Sequence, residues 1–233
     1  VGYASAAAAG LDGGTITPTG AAVGTKQVFS IIKWAGDDSD ANRTVSHGLL
    51  QAPTFIIVKP LTEARHWLIW HKDYNDDDAA MLFDDGTPAG LRFGPDAPTS
   101  SVFGVYGGQG NRGTTDFIGY CWHDVPGLQK FGTYFGNQNA DGPYIELGFR
   151  PKILWVKSIT TDQNWWVHDA ERNKFNPTKL DLRLNQTNRD GTTTRFDFLS
   201  NGFKIRGANL DMNDSGETFI YCAWAEAPSV DLF

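Results

Sequence analysis

Apolar residues in this chain come in short blocks with the length and spacing of strands. Residues 55–58 (FIIV) and 153–156 (ILWV) are four apolar residues in a row, the pattern of a strand buried on both faces. Residues 180–184 (LDLRL) and 195–199 (RFDFL) alternate apolar with polar, as half-exposed strands do. Asn-Gly at 201–202 and Asp-Gly at 85–86, 141–142 and 190–191 mark tight turns between blocks. Amphipathic helical spacing is scarce. The pattern predicts an all-β chain of antiparallel strands, about seven to each hundred residues.

The blocks also recur in order. FSIIKWAG (29–36) matches FGTYFG (131–136), and HGLLQAPTFIIVK (47–59) matches LGFRPKILWVK (147–157). VFGV (102–105) matches GFKI (202–205), and FIGYCWHDVP (117–126) matches FIYCAWAEAP (219–228). Four ordered matches at offsets of 98 to 102 residues predict a tandem duplication rather than a solenoid, which uses shorter and more numerous units. The expected architecture is two tandem, pseudo-repeated antiparallel β-sandwich or jelly-roll-like units carrying an extended N-terminal arm. The arm is residues 1–28, the first unit 29–128 and the second 129–233.

Comparing the copies sorts faces. In the strands led by Trp67 and Trp165, the pairs Trp67/Ile69 and Trp165/Val167 are kept, which assigns that face to the core. The opposite face carries Leu68 and Trp70 in one copy, Trp166 and His168 in the other. Trp70, Trp166 and His168 are therefore either a second packed layer, including a seam between copies, or a contact surface for a partner or glycan. In the last strand of each copy, Ile118/Trp122 and Ile220/Trp224 are kept, placing Cys222 on the core face and Cys121 on the other.

The leader differs. Residues 1–27 are mostly Ala, Gly and Thr, with too little apolar surface to fold alone. The expectation is a loose segment or an arm that orders against a neighbouring subunit.

Composition narrows the function classes. Net charge is −7 with a pI near 5.1, and no Lys/Arg cluster appears, so a nucleic-acid partner is not expected. No apolar run reaches the ~18 residues of a membrane span, and no secretory signal is expected at the start. Two cysteines, Cys121 and Cys222, sit in no metal-type spacing and read as free thiols. Asn-x-Ser/Thr occurs at Asn42, Asn185 and Asn213, read as coincidence without a secretory context.

Candidate chemistry is sparse. The histidines (His47, His66, His71, His123, His168) show no metal spacing, and neither a nucleophile elbow nor a phosphate-binding glycine loop is present. GGQGNRG (107–113) reads as a hairpin loop. In the acidic run at 73–79, Asp73, Asn75 and Asp77 have calcium-loop spacing, but Asp78 stands where that loop needs glycine and Asp84 where it needs glutamate. A solvated acidic loop is the expectation, with no metal, no cofactor and no catalytic residue assigned.

The phrases GFRPKILWVK, WWVHDAERNKFNP, DFLSNGFKIR and SGETFIYCAWAEAP together resemble an uncharacterised repeat domain of virion proteins in tailed phages, cyanophages included. Residues 131–228 follow the pattern closely. Residues 29–126 depart from it, with HKDYNDDDA in place of Asp-x-x-Arg-Asn and TSSVFGV in place of Ser-Asn-Gly-Phe. The resemblance implies a non-enzymatic virion protein that assembles with other virion proteins, as a homo-oligomer. A tail-fibre or receptor-binding component with a host-surface glycan as candidate ligand is the first expectation. A capsid decoration protein is the alternative, and a lectin-like carbohydrate module outside any virion is a further one.

Overall fold

Among the described residues of the computed structural model, seventeen short strands form; one four-residue helix and one 3-10 turn accompany them. The structure describes residues 4–226 except 25, 27, 40, 75–78, 85, 87, 88, 92, 95, 108, 109, 194 and 209. Two compact units divide the chain: residues up to Leu82 and from 88 to Asp124 form the first, and 83–87 with the residues from Val125 onward form the second.

In the first unit the strands are β1 (Gly20–Val23), β2 (Phe29–Ala35), β3 (Arg43–Ser46), β4 (Phe55–Pro60), β5 (Leu68–His71), β6 (Ala79–Leu82), β7 (Ala89–Leu91), β8 (Val102–Val105) and β9 (Asp116–Trp122). They make a seven-stranded antiparallel sheet, β1-β2-β9-β4-β5-β6-β7, and a second sheet, β3-β8. The core lies where Ile32, Trp34, Ile56, Val58, Leu68, Trp70, Phe117 and Cys121 of the large sheet meet Val45, Phe103 and Val105 of the small one. The Trp34 ring stacks on Phe117 at 5.4 Å and takes the edge contact of Phe103 at 5.7 Å.

The second unit holds β10 (Gln129–Phe135), β11 (Tyr144–Glu146), β12 (Pro151–Ser158), β13 (Trp166–Asp169), β14 (Leu182–Arg183), β15 (Phe196–Leu199), β16 (Gly202–Ile205), the helix α1 (Leu210–Asn213) and β17 (Thr218–Ala225). Its sheets are β10-β17-β12-β13-β14 and β11-β16-β15, both antiparallel. Tyr134, Leu154, Val156, Trp166, Phe219 and Tyr221 pack from the first against Ile145, Phe196, Phe198, Phe203 and Ile205 of the second. The all-β sandwich expectation holds. In each large sheet the unit's last strand lies between β2 or β10 and the middle pair: β2-β9-β4-β5 and β10-β17-β12-β13.

Three expectations are corrected. Residues 4–24 belong to the first unit. β1 pairs with β2 over Gly20↔Lys33 to Val23↔Ser30, Ile16 is 8% exposed and bridges Val45, and Leu11 and Val23 pack on the core. A sheet ladder is made by backbone groups, so an Ala/Gly strand can join it once a few apolar residues anchor the segment.

The sorting of faces is inverted. On β9, Phe117 and Cys121 enter the inter-sheet core, and on β17, Phe219, Tyr221 and Ala223 do, while Cys222 lies on the opposite face. The large sheet is apolar on both sides: Phe55, Ile57, Ile69 and Met81, on the face away from that core, are also buried. Of the residues kept between copies, Ile69, Trp165, Val167 and Ile220 are buried, while Ile118, Trp122 and Trp224 are half-buried and Trp67 is exposed, so similarity between copies does not tell which side is the core. Both thiols are buried and neither is in a disulfide, and burial pushes the Cys121 thiol far up from its ordinary value. The folded protein is expected to leave a thiol reagent unreacted, and to consume two equivalents once denatured; absorbance of the released chromophore measures this.

Residues 108 and 109 of GGQGNRG lie outside the described residues, but β8 and β9 on either side of it lie in different sheets and so are not a hairpin pair.

Candidate functional site in the second unit

The crossing loops carry a recurring buried asparagine. Asn213 ends α1 with no exposed surface; its Oδ1 accepts the Asn137 N–H at 2.9 Å, and its amide nitrogen donates to the Asn139 and Gly207 carbonyls at 2.9 and 2.8 Å. Asn111, equally buried in the first unit, accepts the Asp37 N–H at 3.2 Å and donates to the Asp37 carboxylate at 2.5 Å. Beside each stands a glycine that admits the neighbouring backbone. A Cβ at Gly36 would fall 2.1 Å from the Arg112 carbonyl oxygen, and at Gly136 2.0 Å from that of Asp214. These asparagines tie the loop after β2 or β10 to the segment before the unit's last strand. Asn213→Ala is expected to lower stability by about 2 kcal/mol, because it orphans buried backbone groups; a urea denaturation midpoint checks it. Burial of Asn213 also removes it as a glycan acceptor.

Trp70, Trp166 and His168, the residues singled out as a contact surface, are core residues. They are 5%, 1% and 0% exposed, so they form no surface platform for a glycan. The register of β5 and β13 turns Leu68, Trp70, Trp166 and His168 toward the second sheet of their own unit, and Trp67 is the exposed member, at 38%.

Around Trp166 the second unit gathers a cluster of charged and polar side chains. Arg183, directly opposite Trp166 in the β13–β14 register, places its guanidinium 4.5 Å from the indole centroid, and that of Arg195 lies 4.6 Å away. Arg195 is closed by Asp181 at 3.0 Å, both side chains being nearly unexposed, and by Asp211 at 3.4 Å. The other Asp181 oxygen accepts the Gly191 N–H at 2.9 Å. Only glycine fits there, since a Cβ on Gly191 would sit 2.0 Å from that oxygen. His168 meets Thr178 through Nδ1 at 3.3 Å and the Phe196 ring at 4.7 Å, while its Nε2 has no hydrogen-bond partner among the described residues. Burial, reinforced by the Arg195 charge, drives the His168 imidazole down to about 3, so it is neutral at ordinary pH.

The cluster's outer side opens into a surface depression of about 890 Å³, lined by Arg183, Asn188, Arg189, Asp190, Gly191 and Thr192. Sequence reasoning passed over these residues. Arg183 was visible only as the polar position of LDLRL, and Asp190-Gly191 only as a turn. Among the described residues no group of three His, Cys, Asp or Glu side chains converges as a metal site. Residues 75–78 of the acidic run lie outside the described residues. No helix among the described residues is long and apolar enough to cross a membrane.

The fold defines a two-unit all-β protein. Residues 3–228 match the model of a domain of unknown function, DUF7483, and the chain belongs to that family. A search of curated proteins and a search of solved structures found no match.

Proposed function

We propose that the chain is a non-catalytic structural protein of a tailed-phage virion, built from one strand-rich module written twice and acting by contact rather than turnover. The observation that carries this reading is the use made of chemistry-bearing side chains. His47, His168, Cys121, Cys222 and the Arg195–Asp181 pair are buried, and the hydrogen bonds and ion pairs described for them are to other groups of the chain. Such side chains hold architecture and are closed to a substrate.

The duplication is supported by the shared strand order, by the two buried asparagines and by two lysines. Lys59 donates to the Arg65 carbonyl, and Lys157 to that of Gln163 at 2.6 Å, each six residues on. The motifs' resemblance to the tailed-phage repeat domain supports a tail-fibre or host-contacting role, with capsid decoration as the other place on the particle. Gold-labelled protein in electron micrographs of particles tests this. Label at the tail is expected; label on the capsid would favour decoration, and particles without label would overturn the virion reading. Release of product from host polysaccharide by the purified protein would overturn the non-catalytic one.

A further inference from the structure

The depression beside Trp166 has a chemistry that the packing of the sandwich does not require. Of its two lining arginines, neither has a carboxylate partner among the described residues. The lining aspartate, Asp190, is already engaged with Arg172. Arg183 is held in place from two sides: its guanidinium lies over the Trp166 ring, and its Nη1 donates to Gln186 Oε1 at 2.8 Å. Gln186 Oε1 also accepts from Asn188 at 3.0 Å, so Arg183 and Asn188 are tied through one acceptor. Arg189 and Thr192 are exposed beside them.

We propose that this depression is an oxyanion-binding site, taking a sulfate, phosphate or carboxylate group. A guanidinium presents a planar fork of N–H donors that matches an oxyanion in two parallel hydrogen bonds. Most of the rotamer freedom that Arg183 would lose on binding is already lost to Trp166 and Gln186, so little ordering cost remains. Arg189 supplies the second positive charge, and the Thr192 hydroxyl and the Asn188 amide are neutral donors at the rim. The chain's net charge of −7 works against the approach of anions at long range. Charges further away than about 8 Å are largely screened at physiological salt, so the local pair of arginines decides affinity. The same screening makes binding weaken as salt rises. Trp166 is too deeply buried to stack on a sugar ring, so recognition rests on the anionic group. The site stands independently of where the protein sits on a particle.

Isothermal titration of the whole chain with inorganic sulfate, inorganic phosphate, a sulfated oligosaccharide and its desulfated form, at low and at physiological salt, tests the assignment. Saturable binding of the sulfated oligosaccharide and none of the desulfated form is expected, with affinity falling as salt rises. Arg189→Gln is expected to weaken binding about tenfold at an unchanged melting temperature, since that exposed side chain makes no hydrogen bond or ion pair among the described residues. Arg183→Lys, which keeps the charge and loses the fork, is expected to weaken it as well. Tighter binding of the oligosaccharide than of the free ions would identify an anion carried on a polymer, and equal binding a free anion. Absence of saturable binding by every anion, or binding that Arg189→Gln leaves unchanged, would overturn the proposal.

Discussion

Asp181→Ala is expected to cost the second unit about 3–5 kcal/mol, the loss that follows when one partner of a buried ion pair is removed and the other stays. Arg195 would retain only Asp211, a more exposed carboxylate at 3.4 Å, while its guanidinium remained over Trp166. The Gly191 N–H would lose the Asp181 carboxylate at 2.9 Å and keep only the Asp181 backbone carbonyl at 3.2 Å. Replacing both partners, Asp181→Leu with Arg195→Met, is expected to cost much less, because no charge is then stranded. Urea denaturation followed by tryptophan fluorescence measures both variants. A loss below 1 kcal/mol for the single change would mean that Arg195 reaches water and that the pair is not a structural tie.

Acid is expected to weaken both units well above the carboxylate range. Burial holds His168 down to about 3, and burial holds His47 down to about 4 against a hydrogen bond to the Thr99 carbonyl; the ordinary value is 6.5. At pH 7 both rings are neutral whether the chain is folded or not. Below 6.5 the unfolded chain takes up a proton at each ring and the folded chain does not, so stability falls with pH. The fall continues until each folded value is reached. From pH 7 to pH 5 the loss is about 2 kcal/mol per histidine, roughly 4 kcal/mol for the pair. The carboxyls held low, among them Asp37, Asp141 and Glu171, lose their contribution only at lower pH, so they do not account for the loss in this window. Urea midpoints at the two pH values test it. His168→Gln is expected to remove half of the acid sensitivity; a variant as acid-sensitive as the parent would show that His168 is not the group responsible.

Much of the fold is legible in the chain. FIIV, VFGV, RFDFL and GFKI all become strands, and the Asn201-Gly202 signal falls at the β15–β16 turn, where Leu199 pairs with Gly202. The faces are not legible, for a physical reason. Alternation says which residues share a side, and it names the inward side only when the other side is polar. With Phe55, Ile57 and Ile69 buried opposite Ile56, Val58, Leu68 and Trp70, polarity no longer decides, and the sequence leaves Trp70 and Trp166 open between a packed layer and a contact surface. Trp166 and His168 also sit where a contact surface was expected because nothing local announces Arg195 or Thr178 as their neighbours. The asparagine ties are hidden similarly. Asn213 serves Asn137 from 76 residues away, and Asn111 lies inside a glycine-rich string that reads as an ordinary loop. The candidate site shows only at the level of folded loops, where Arg183, Arg189 and the Asp181–Arg195 pair come together.

The leader's strand has a further consequence. By lying along β2, β1 occupies hydrogen-bonding positions that would otherwise form the sheet's margin, and it does so with side chains as small as Gly20, Ala21 and Ala22. A version trimmed to start after Gly24 would bare those donors and acceptors on a strand rich in Ile and Trp, with Lys33 as its one charged gatekeeper. Far from releasing monomers, trimming would make the molecule sticky, with one copy's uncovered margin recruiting the next.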